Sequence, residues 1–71
     1  MINERPRRRP PTPRELRIPI HRELRPYFED AHPWIRTDLF RWLAHGSWSE
    51  RAVAYIRTRD VPAGLLRKAG L

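Results

Sequence analysis

The sequence predicts an all-α protein: a small helical domain, made of a helical hairpin and a short C-terminal helix, behind a proline- and arginine-rich N-terminal arm. Three observations predict it. Apolar residues from 33 to 59 recur at helical spacing. Helix-start and helix-stop residues punctuate that pattern. Residues 1–13 hold Pro6, Pro10, Pro11 and Pro13 among arginines, with no large apolar residue after Ile2. The chain therefore divides into a basic arm over 1–13 and a helical domain over 14–71, best defined over 33–71.

Such an arm cannot bury enough apolar area to offset its ordering entropy. Proline fixes φ and restricts its neighbour, so extended conformations dominate there, and the arm is expected to be flexible but locally stiff. Thr12-Pro13-Arg14-Glu15 is a helix-start signature: hydroxyl cap, proline at the first helical position, carboxylate at the third. Pro19 is expected to stop that helix early. Leu16, Ile18 and Ile20 alternate with other residues, which suits an extended segment laid over an apolar surface. Short helical turns are expected over 21–25 and 26–31.

The next helix should open at Pro33 and close at Gly46, with Ile35, Leu39, Trp42 and Leu43 on one face. Ser47 and Glu50 read as a second capping box, followed by the stripe Trp48, Ala52, Tyr55 and Ile56 up to about Arg59. Asp60 then caps a last helix through Val61, Leu65 and Leu66, closed by Gly70. Gly64 inside it costs about 1 kcal/mol relative to alanine. The three stripes make up the expected core.

At 71 residues the chain has room for one domain with a marginal core. It holds no cysteine, which excludes disulfides and thiolate metal sites. Fifteen basic residues face eight acidic ones, a net charge of +7. The excess is uneven: residues 1–26 hold eight basic and three acidic residues, and residues 27–71 seven and five. Only Lys68 interrupts an all-arginine set. Forked guanidinium contacts to phosphate or carboxylate favour arginine, and the codon bias of a GC-rich genome favours it equally. A field this positive points to polyanionic partners.

No apolar run approaches the roughly 20 residues that span a bilayer, and Arg5 to Pro13 is the opposite of a secretory apolar core. The expected location is intracellular, cytoplasmic or nucleoid-associated, or inside a virion assembled there.

Pro6-Arg7-Arg8-Arg9-Pro10 resembles the AT-hook pattern of proline-arginine-glycine-arginine-proline over five residues, with Arg8 where that family has glycine. The resemblance implies arginines lying along a narrow A·T minor groove. Arg8 works against the deep fit that glycine allows and leaves phosphate attraction intact. Arg7-x-x-Pro10-x-x-Pro13 also matches a basic-first polyproline ligand, a match expected by chance in so biased a segment. The last two helices invite a helix-turn-helix reading. A recognition helix reads bases from its first residues, and Val61, Pro62, Ala63 and Gly64 carry no hydrogen-bonding side chain.

His21, His32 and His45 lie 11 and 13 positions apart, too far for the usual metal-ligand spacing, and read as surface or helix-end residues. Ser47 and Ser49 belong to a cap, and Glu29, Asp30, Asp38, Glu50 and Asp60 read as surface ion-pair formers. No catalytic, metal or cofactor residues are assigned, so the chain is expected not to be an enzyme, with no small-molecule substrate and no membrane partner.

Two functions follow. In the first, a nucleic acid, DNA or RNA, is bound with little sequence preference by phosphate contacts from Arg5, Arg7, Arg8, Arg9 and Arg14. In the second, an accessory or inhibitor protein, such as a phage or virion component, docks on a larger protein or a second copy of itself. Its interface would use the arm with Leu16, Ile18, Ile20, Tyr27, Phe28 and Trp34, since Trp, Tyr and Arg dominate binding hot spots.

Overall fold

The computed structural model describes residues 10–71. Among them lie four α-helices and no strand: α1 (Pro13–Leu24), α2 (Pro33–His45), α3 (Glu50–Arg57) and α4 (Ala63–Lys68), with a 3₁₀ turn (Arg25–Phe28) after α1. The all-α class expected from the sequence holds.

α1 starts as its signature requires. The Glu15 amide donates to Thr12 Oγ1 at 3.1 Å, and the Thr12 amide donates to Glu15 Oε1 at 2.8 Å. The helix does not stop at Pro19, however, and the extended segment expected over Leu16–Ile20 is helical. An interior proline costs about 3 kcal/mol by removing a hydrogen bond and crowding the preceding turn. Pro19 and Glu15, whose carbonyl loses its partner, both lie on the face exposed to solvent. Burial of Leu24, with Ile20 packed against the core, on the opposite face offsets the rest.

α1 returns antiparallel along α2. The Arg17 guanidinium donates from Nε to the Leu43 carbonyl at 2.9 Å and from Nη2 to that of Ala44 at 3.2 Å. One turn on, the His21 and Phe40 rings meet with centroids 4.9 Å apart. At the far end, Arg36 Nη1 donates to the Glu29 carbonyl at 3.1 Å. Arg17 thus caps the negative end of α2 with a cation. Gly46 follows at φ +81°, a left-handed conformation that glycine adopts without strain, and a Cβ there would stand 2.8 Å from Arg17 Nη1.

The core holds seven of the expected eleven residues as buried: Ile35, Leu39, Trp42, Ala52, Ile56, Val61 and Leu65. Leu43, Trp48, Tyr55 and Leu66 are half-buried. Leu24, Phe28, Ala31 and Ala69 complete it, because the 3₁₀ turn and the chain end fold inward.

Two caps differ from expectation. Ser49, not Ser47, starts α3, accepting from the Ala52 amide at 3.0 Å and donating to Asp38 Oδ2 at 2.9 Å. Trp48 explains the shift: it stacks on Trp42 at 5.0 Å and donates from Nε1 to the Ala69 carbonyl at 2.8 Å, so its backbone stays outside the helix. The residue before α4 is Pro62 rather than Asp60, and no side chain caps that helix.

Candidate functional site

Arg5, Arg7, Arg8 and Arg9, the arm's phosphate-contacting candidates, lie outside the described residues, as does most of the segment resembling the AT-hook pattern. Arg14 stands on the first turn of α1, exposed to solvent.

The arginines of the body divide by what they touch. Arg17 and Arg36 are engaged with backbone carbonyls, and Arg57 reaches that of Leu71 at 3.5 Å. Arg41 pairs with Asp38 at 3.6 Å. Arg51 lies over the Trp34 ring, 3.7 Å from its centroid. Arg59 is the most engaged: Nε and Nη2 donate to the Tyr27 carbonyl, Nη1 to the Tyr55 hydroxyl, and Nη2 also to Asp30 Oδ1. That contact holds the Asp30 carboxyl below its ordinary pKa. Arg14, Arg22, Arg25, Arg67 and Lys68 are exposed and bond to no other described residue.

The alternative interface set divides as well. Leu16 is 58% exposed, whereas Ile18, Ile20, Tyr27 and Trp34 are half-buried. Trp34 packs edge-on against Tyr55 and lies beneath Arg51. Phe28 was expected at an interface and is instead fully buried, because the 3₁₀ turn carries it under α3 and Arg59. It offers no docking surface.

Phe40 was missed by sequence reasoning and is 55% exposed. Its signal was available: a large aromatic on a predicted helix, off the stripe of Ile35, Leu39, Trp42 and Leu43. One side of the ring rests on His21, and the rest faces solvent.

His21 departs from the surface position expected for it. It is 5% exposed, and its Nε2 has no hydrogen-bond partner. Burial first, then the charge of Arg25, lowers its pKa from the ordinary 6.5.

Beside these residues runs a groove of about 330 Å³ between the 3₁₀ turn and α2, lined by Arg25, Glu29, Arg36 and Leu39. Spacing on the two antiparallel helices sets its geometry. Arg25 follows His21 by four residues, just past the end of α1, and Phe40 follows Arg36 by four on α2. Two guanidinium-bearing residues therefore stand at one end of the helix pair, and an aromatic step lies one turn away.

Among the described residues no group of three or more histidines and carboxylates is placed to hold a metal. No described helix is long and apolar enough to cross a membrane. Comparison with protein-family models, curated proteins and solved structures returns no match.

Proposed function

We propose that this protein binds nucleic acid with little sequence preference, using its N-terminal arginines on phosphates. The observation that carries this reading is the asymmetry of charge. Residues 1–26 hold eight basic and three acidic residues, and among the eight, Arg14 and Arg22 on α1 and Arg25 just after it pair with no described carboxylate. Phosphate contacts of this kind release counterions and give affinity without base readout. The short α4, with no hydrogen-bonding side chain at its start, supports the same lack of sequence preference.

Salt dependence of binding to a mixed-sequence duplex tests the reading. Five arginine–phosphate contacts give a slope of log K against log salt near −4 to −5. Replacing Arg5, Arg7, Arg8 and Arg9 by glutamine in the full chain is expected to flatten that slope by about 3 to 4. Absence of binding at low salt, or a slope unchanged in the variant, refutes it.

A second reading, docking on a larger protein or a second copy, is favoured by exposed Leu16 on α1. It predicts affinity that survives high salt and falls on Leu16→Glu.

A further inference from the structure

The groove between the 3₁₀ turn and α2 combines features that the arm lacks. Arg25 lines it from the 3₁₀ turn and Arg36 from α2; Arg25 bonds to no other described residue, and Arg36 engages only Nη1, on the Glu29 carbonyl. Phe40 stands one turn from Arg36 with most of its ring in water. Its inner side rests on His21, which is itself buried, so the ring is held in place from below. Exposing an aromatic this way forgoes the burial that stabilises such a side chain in a core. Two cations with a supported aromatic ring one helical turn away are the parts of a single-strand site: guanidinium groups track the backbone while a ring stacks a base. A duplex hides its base faces and cannot use Phe40.

We propose that this groove is a single-stranded nucleic-acid subsite, in which Arg25 and Arg36 hold a phosphate and Phe40 stacks the adjoining base. The inference rests on the nucleic-acid reading above and adds to it a preference for unpaired strands located in the helical body. The guanidinium groups select an anion, and the exposed Phe40 ring selects one in which every phosphate is joined to a flat base. Glu29 also lines the groove, and its carboxylate opposes an incoming phosphate.

The test compares the full chain with its Phe40→Ala, Phe40→Leu, Phe40→Trp, Arg25→Gln and Glu29→Gln variants. Binding to an unstructured oligonucleotide and to a duplex of the same length is measured across a salt series, with thermal melting as a folding control. Phe40→Ala is expected to weaken single-strand binding about tenfold and leave duplex binding unchanged. Phe40→Leu keeps the apolar bulk and should fail equally, while Phe40→Trp should restore binding. Arg25→Gln should lower the single-strand salt slope by about 0.7, and Glu29→Gln should tighten binding. Folded Phe40 variants that bind both forms as the parent does overturn the groove and leave the arm reading standing. Loss of all binding by the parent at low salt overturns both.

Discussion

Two faces of this small protein are built from the same materials and use them in opposite ways. On the face around α3, arginine and aromatic groups are closed on each other: Arg51 covers Trp34, Trp34 meets Tyr55, and Arg59 ties Tyr55 to the Tyr27 carbonyl and Asp30. Phe28 lies fully buried beneath that lattice. On the α1–α2 face, Arg25 bonds to no described residue, and Phe40 stands 55% exposed on His21. The difference teaches that arginine next to an aromatic is not by itself a binding signature. What matters is whether the guanidinium's donors are already satisfied within the fold. On the α3 face the donors of Arg59 are satisfied and the cation of Arg51 lies on the Trp34 ring, so the contacts there hold the chain together.

The sharpest way to break the comparison is to truncate one phenylalanine on each face. Phe28→Ala should cost about 3–5 kcal/mol, enough to unfold a domain of this size, whereas Phe40→Ala should change stability by less than about 1 kcal/mol. Chemical denaturation reads both, and equal losses would erase the distinction between the two faces.

Arg59 comes next. Its side chain bridges segments 32 residues apart through hydrogen bonds from a charged group, each worth roughly 1.5–3 kcal/mol. Arg59→Ala should cost about 2 kcal/mol, and Arg59→Lys should recover little, because one ammonium cannot serve the same forked set of acceptors. Arg25→Ala on the open face should be neutral within about 0.5 kcal/mol.

His21 joins the comparison through pH. Its folded pKa lies below the ordinary 6.5, so on acidification the unfolded chain takes up this proton first. Stability linked to His21 is therefore fully present above pH 6.5 and is lost as pH falls through the lowered folded value. Replacing His21 by leucine should remove that part of the acid sensitivity, read as a flatter melting temperature between pH 6.5 and 5. An unchanged profile would show that the histidine is not held neutral beneath Phe40.

One substitution is expected to bring a small gain. Gly64 lies in α4 with nothing within 4 Å of where a Cβ would stand. Gly64→Ala should stabilise the helix by up to about 1 kcal/mol, and a loss would point to a close approach there.

How much of this was legible beforehand follows from the range of each interaction. Thr12 with Glu15, Pro33 at the start of α2 and Gly46 at its end were readable, because each depends on neighbours within about one turn or on a backbone angle. The stripe of Ile35, Leu39 and Trp42 was readable because helical periodicity is local. The candidate groove was not, since it is made by laying Arg25 beside Arg36 across an intervening turn.

The sequence by itself determined the all-α class, the basic asymmetry of the chain and the boundaries of α2. Tertiary structure alone decided that α1 runs through Pro19, that Ser49 displaces Ser47 as a cap, and that Phe28 is buried while Phe40 is exposed. Those outcomes turn on contacts such as Arg17 with Leu43, 26 residues apart, and Trp48 with Ala69, 21 apart. Local propensities of about 1–3 kcal/mol are outweighed once such distant groups are packed and bonded together.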